Sequence, residues 1–291
     1  MKRYLMQAGC VAALLLAPGA DAAAVNVPAS SLVAADVAPA RTWRALHRQL
    51  EADGLTATRI DEQRFEATVT LPGAGEVQLG VDWDERSGGS RLAWHTGAQE
   101  GAGAAAAWIK QVAARARSER QENHLCRGEH PSSLPEPSMD GAASCGTGRF
   151  SSALFELEKC GDYESALTIL AACVKEQHAG GLLRLAWFYE TGLGLPQRPE
   201  RMTEYLREAA ASTTPGYPEQ ARVQYATALY FGVGTPPDRE RALRMFRELA
   251  QAGNQDAIHF LRHGYHAAWR RQDGSLYADP DWHAEGASSG K

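Results

Sequence analysis

Residues 186 to 250 contain the same pattern twice. Gly192-Leu-Gly194-Leu-Pro196 and Gly232-Val-Gly234-Thr-Pro236 match at an offset of 40. The same offset pairs Ala186 with Ala226, Glu200 with Glu240, Arg201 with Arg241, Arg207 with Arg247, Glu208 with Glu248 and Ala210 with Ala250. Nine ungapped identities at one offset mark a repeat array, whose units bury their apolar flanks only against neighbours. Four residues of the offset belong to the Ser212-Thr-Thr-Pro-Gly216 loop, so the underlying period is 36.

Each unit reads as a helical hairpin. Gly181 with Leu185, and Ala221 with Tyr225, place a small and a large residue on one face of the first helix, a groove beside a ridge. The paired glycines let the chain leave that helix through backbone angles that bulkier residues avoid. Asp238 caps the second helix, and Glu240 sits in its first turn, where the dipole favours a negative charge. Asp162-Tyr-Glu164-Ser-Ala166-Leu167 copies that start and reveals an earlier hairpin, its first helix carrying Ala153, Leu157 and Gly161. Ala257, Leu261 and Tyr265 give a last partial copy.

Upstream the periodicity differs. Residues 23–40 show no usable pattern and read as a linker. Trp43, Leu46, Leu50 and Leu55 fall near helical spacing until Gly54. Phe65, Ala67, Val69 and Leu71 then share a strand face, as do Val77, Leu79, Val81 and Trp83. Arg91 to His95 is a third short strand, and Ala104 to Arg117 a closing helix. The pattern predicts an α+β domain over 41–118: helix, antiparallel meander of three or four strands, helix. Residues 119–148, with three prolines and four glycines, read as a second linker, 149–268 as the repeat domain and 269–291 as a flexible tail.

Lys2 and Arg3, the apolar run Cys10 to Ala17, and Ala20-Asp21-Ala22 have the three parts of a secretory signal over 1–22. The run is too short to span a bilayer. The expected location is therefore the periplasm or the exterior. A net charge of −5 without a basic stripe argues against nucleic acid. Export leaves Cys126, Cys145, Cys160 and Cys173, an even number in an oxidising compartment. Three pairings are open, as is a reading with Cys160 and Cys173 reduced in the core.

Leu185-Ala-Trp-Phe-Tyr189-Glu-Thr-Gly192-Leu-Gly194-Leu195, followed by Tyr205-Leu-Arg-Glu-Ala209-Ala210, resembles a Sel1-like repeat, a relative of the tetratricopeptide family. The resemblance covers about residues 150–268. The first hairpin departs from the pattern in lacking the glycine loop, and Thr235 stands where the family prefers Val. What it implies is an all-α solenoid that binds proteins, in bacterial envelopes as a neutralising (immunity-type) partner of a toxin or a secretion accessory. Some secreted members bridge the end of one hairpin to the start of the next, but Cys173 has no cysteine partner there. Within the first hairpin Cys160 lies at the turn, about 15 Å from Cys173, too far for a bridge. Cys145 returns to the level of Cys173, so Cys145–Cys173 is the favoured pair. Cys126–Cys160, or two unpaired thiols, remain.

The expected partner-binding residues are Arg184, Trp187, Phe188, Gln224 and Thr227, which occupy first-helix positions between the packing residues. Arg and Trp together are the types that dominate binding hot spots. Packing of Trp187 and Phe188 on neighbouring structure is the competing reading. His259, His263 and His266 share one helix side at a spacing that could hold zinc, but no carboxylate or Cys completes the set nearby and a solvated cap is the favoured reading, so no metal is assigned. Ala142-Ala-Ser144-Cys-Gly146 resembles a nucleophile elbow without the strand such a turn needs. Some Sel1-like proteins have been proposed to act on β-lactams, but the Ser-x-x-Lys of such chemistry occurs here only as Ser288 to Lys291. No catalytic residue and no cofactor is assigned. The reading is a non-catalytic exported protein-binding protein; a cell-wall module acting through the α+β domain and an envelope hydrolase are the alternatives.

Overall fold

The computed structural model describes residues 32–35, 37–85, 88–97, 99–119, 145, 148–214 and 217–283. Residues 1–22 and most of the second linker, with Cys126 and Ser144, lie outside these, as do Ser288 and Lys291.

The N-terminal part is a five-stranded antiparallel sheet in the order β1-β5-β4-β3-β2. Its strands are β1 (Leu32–Ala35), β2 (Ala57–Asp61), β3 (Glu66–Leu71), β4 (Gly75–Asp84) and β5 (Gly89–Thr96). Helices α1 (Pro39–Ala52) and α2 (Ala102–Ser118) pack on each other and against the sheet, enclosing Trp43, Leu46, Val69, Val77, Val81, Leu92, Ile109 and Val112. Alternation drives this. β4 buries Val77, Leu79, Val81 and Trp83 and leaves the residues between at least partly exposed. Two strands differ from expectation. β2 exposes its three central residues, so no alternation betrays it. The expected linker 23–40 contains β1, which pairs with β5 from Leu32↔Ala93 to Ala35↔Ser90, and the first residues of α1.

The C-terminal part is helical: α3 (Gly148–Lys159), α4 (Tyr163–Lys175), α5 (Ala179–Thr191), α6 (Pro199–Ala211), α7 (Pro218–Phe231), α8 (Arg239–Gln251) and α9 (Gln255–His263). Each helix packs on its chain neighbours, and α5 also touches α7. Asp162, Asp238 and Asn254 each accept a hydrogen bond from the backbone N–H three residues on, at 3.0 Å. Gly192 and Gly232 end α5 and α7 in left-handed conformation.

The second glycine of each loop answers a different demand. Gly194 lies against Tyr163, the first residue of α4, and Gly234 against Pro199, the first residue of α6. Both have positive φ, +73° and +63°. A Cβ on Gly234 would overlap the Pro199 carbonyl and come within 2.7 Å of the Glu200 nitrogen. Each loop therefore rests on the start of the preceding unit's second helix with no room for a side chain. Gly181 plays a similar part between units: a Cβ there would collide with Cys173.

Cys173 is bridged to Cys145 with Cα atoms 5.4 Å apart, the favoured pair. Cys160 is also disulfide-bonded; Cys126, the partner expected for it, lies outside the described residues.

Two expectations about the C-terminus are corrected. α9 stops at His263 because Gly264 takes a left-handed conformation (φ 71°), so Tyr265 is not helical. The expected tail from 269 carries a hairpin, β6 (Tyr265–Arg270) with β7 (Leu276–Ala278), in place of unstructured chain. Trp269 is buried in the helical core, and Tyr277 and Trp282 pack against it. Sparse apolar residues at irregular spacing hid this segment.

The sheet docks on the loop side of the helices. Trp83 and Ala38 are buried in the helical core, apart from the core under α1 and α2. The Ala40 N–H donates to the Gly194 carbonyl (3.3 Å) and the Gln197 N–H to that of Gln63 (2.7 Å). Arg198, largely buried, meets Glu66 at 2.8 Å, while Arg201 and the Tyr205 hydroxyl both reach Glu85. Among the described residues no helix is long and apolar enough to cross a membrane.

Gly234→Ala is expected to destabilise the chain by about 3 kcal/mol or more through backbone overlap added to left-handed strain. Gly253→Ala, also at positive φ but in open space, is expected to cost about 1 kcal/mol. Urea unfolding of the two variants measures the difference.

Candidate functional site

The first helices of the hairpins, α3, α5 and α7, share a face that no residue of the five-stranded sheet lines. On it lies a groove of about 1030 Å³. Leu154 and Phe155 come from α3, Leu183, Arg184, Trp187 and Glu190 from α5, and Gln220 and Gln224 from α7. Tyr217 and Cys145 border it, and the chain from Ala267 to Gln272 forms a wall.

Arg184 anchors the floor. Its Nε donates to Glu158 at 2.5 Å, and its guanidinium lies over the Trp187 ring, 4.4 Å from the centroid. Burial holds its pKa below the ordinary arginine value, yet a guanidinium stays charged at neutral pH. The ion pair and the stacked ring hold each other in one rotamer, a rigid cationic and aromatic surface. Around it, Phe155 is 55% and Tyr217 70% exposed, large apolar side chains that the fold itself does not bury.

Three of the five residues expected at the site are brought together here: Arg184, Trp187 and Gln224. The other two are corrected. Phe188 is fully buried, edge-on to Tyr163 at 6.0 Å, because one step of about 100° round the helix from Trp187 turns it into the core. Thr227 is fully buried too; its hydroxyl donates to the Val223 carbonyl (2.9 Å) and lies 2.6 Å from His266 Nε2.

The three histidines are not gathered. The His259 and His263 rings lie 4.5 Å apart, tilted by 46°, but Gly264 ends the helix and puts His266 on β6. There His266 is buried, which lowers its pKa. Among the described residues no group of three His, Cys, Asp or Glu could hold a metal ion.

Sequence reasoning missed the wall. Trp269 Nε1 donates to the Glu190 carboxylate at 2.5 Å, and the Gln272 amide donates to the Glu190 carbonyl at 2.6 Å, fastening the hairpin across the end of α5. The Tyr230 hydroxyl donates to Asp279 at 2.6 Å, and burial with that bond pushes its pKa up to about 12. Phe155 did carry a signal, an apolar side chain off the Ala153–Leu157 stripe of its helix.

No family model matches the chain, and no curated protein matches it. Among solved structures, a Sel1 repeat protein from Oxalobacter formigenes is similar at 21% identity with a TM-score of 0.32. The likeness is partial. It covers 36% of this chain, and the chain spans 42% of the length of that protein.

Burial raises the Glu190 pKa, against the opposing effect of the Trp269 hydrogen bond. A carboxyl whose folded-state value is raised stabilises the fold below its unfolded value, and that contribution is lost as pH rises through the folded value. Glu190→Gln keeps an oxygen for Trp269 without the charge. Its melting temperature is expected to match or exceed the parent's at pH about 7 and to show no gain near pH 4. Parallel thermal melts at the two pH values check this.

Proposed function

We propose that the chain is an exported, non-catalytic binding protein. Its hairpins form a short Sel1-like solenoid, and its groove holds a segment of a protein partner. The observation that carries this reading is the groove floor: an arginine stacked on a tryptophan, flanked by Phe155 and Tyr217, which the fold leaves uncovered. Arg and aromatic anchors in a concave site are the residue types that supply most binding energy at interfaces. The Cys145–Cys173 bridge supports export, since such bonds persist in oxidising compartments. The amino-terminal signal pattern supports the same location, periplasmic or secreted. A neutralising partner for an envelope toxin and a secretion accessory both suit a rigid groove of this kind.

Arg184 is a poor choice for testing the site, because its loss would leave the largely buried Glu158 carboxylate unpaired. Trp187→Ala combined with Gln224→Ala removes groove surface while keeping that pair. Cross-linking in the native compartment followed by affinity purification is expected to recover a partner with the parent chain and not with the double variant, whose unfolding stays cooperative. Equal recovery by the two chains would move the site elsewhere.

A further inference from the structure

The hairpin that walls the groove has a broken ladder. Pairing of β6 with β7 is interrupted between Tyr265 and Arg270. Side-chain bonds to the helices fasten it: Trp269 and Gln272 to Glu190 on α5, Asp279 to the Tyr230 hydroxyl on α7, and His266 to Thr227 on α7. A carboxyl keeps an acceptor oxygen when it is protonated. An imidazole gives up its only acceptor. The His266 fastening is therefore the one a proton undoes.

The bonds around His266 fix its tautomer. The Thr227 hydroxyl hydrogen goes to the Val223 carbonyl at 2.9 Å, so His266 Nε2–H donates to the Thr227 oxygen at 2.6 Å. Nδ1 is then an acceptor, and it receives the Ala268 N–H at 3.2 Å. The neutral ring is fully satisfied. A second proton would sit on Nδ1 and point into the Ala268 N–H.

The surroundings do not welcome that charge. His266 is 1% exposed, and Phe246 of α8 and Phe260 of α9 have ring centroids 6.3 and 6.1 Å from its own. Desolvation lowers its pKa below the ordinary histidine value, against the pull of Asp256 and together with the repulsion of His259, both on α9. Those are the titratable groups that face it; α7 and α8 present Thr227 and Phe246. The stabilisation from the neutral ring is complete above the unfolded value of about 6.5 and is lost as pH falls through the folded value. Enclosed on three helices, the charged ring reaches water only as β6 moves.

We infer that His266 is a pH-operated latch on the groove wall: a proton on Nδ1 lifts β6 off α7 and opens the groove, whose wall is residues 267–272. The latch belongs to the hairpin alone. Its consequence, release of a bound segment in mild acid, rests on the groove reading.

Hydrogen exchange of the purified chain at pH about 7 and about 5, with labelling times scaled for intrinsic amide chemistry, tests the latch without a partner. Amides of residues 265–278 are expected to exchange about tenfold faster at the lower pH, because the opened hairpin takes up a proton that the closed one resists. Those of α5 and α6 are expected to hold. His266→Gln keeps an amide donor for Thr227 and does not titrate, so it is expected to remove the difference. Nitrogen NMR of the parent gives an independent measure. The His266 ring is expected to be the Nε2–H tautomer at neutral pH and to titrate with the same midpoint as hairpin opening. If His266→Gln opens the hairpin at both pH values, that midpoint decides.

Hairpin exchange that ignores pH, an equal pH response in a folded His266→Gln chain, an equal response in α5 and α6, or a ring that protonates while the hairpin stays closed overturns the latch. The groove reading fails separately, on retained partner capture by the Trp187→Ala, Gln224→Ala chain.

Discussion

The contact on which the helical region depends is a glycine laid directly on a neighbouring helix, where no side chain fits. Gly234 sits where a Cβ would enter the Pro199 carbonyl, and Gly194 where one would enter Tyr163. Tyr163 and Pro199 are 36 residues apart, the underlying period of the repeat, so the two loops meet equivalent helix starts one unit apart. Neither hairpin could bury Leu185, Tyr189 or Phe246 alone, and the array becomes stable only when neighbours close on each other. The missing side chains set that spacing. Gly181 against Cys173 repeats the device at the first junction, where the Cys145 bridge fastens the start of the array as well.

From that spacing the placement of everything else follows. The loops form one side of the array, and the sheet docks there, with Trp83 entering the helical core and Arg198, Arg201 and Tyr205 meeting Glu66 and Glu85. A backbone bond from Ala40 uses the carbonyl of Gly194 itself. No residue of the sheet lines the first-helix face of α3, α5 and α7, which carries the groove. The hairpin of β6 and β7 closes one end of that face through Glu190 and turns an open surface into a bounded groove.

What could be read in advance tracks the physics of each signal. Helices α3 to α8 and strands β3 to β5 bury one face, so period and alternation expose them. β2 buries little and β1 is a four-residue edge, and neither carries such a pattern. The Cys145–Cys173 pair followed from the rise of a helix, a local quantity. Arg184, Trp187 and Gln224 were legible because they fall between the packing positions of known helices. Phe188 and Thr227 were misread because which side of a helix is covered depends on neighbours that one sequence does not display. β6 escaped notice for a related reason: its Trp269 answers to Glu190, 79 residues away.

Native-state hydrogen exchange tests the claim of mutual support most directly. If loop-to-helix contacts join the hairpins, amides in α5, α6, α7 and α8 will share one opening free energy close to that of global unfolding. Exchange of α7 and α8 through an independent, lower-energy opening while α5 and α6 stay protected would contradict it.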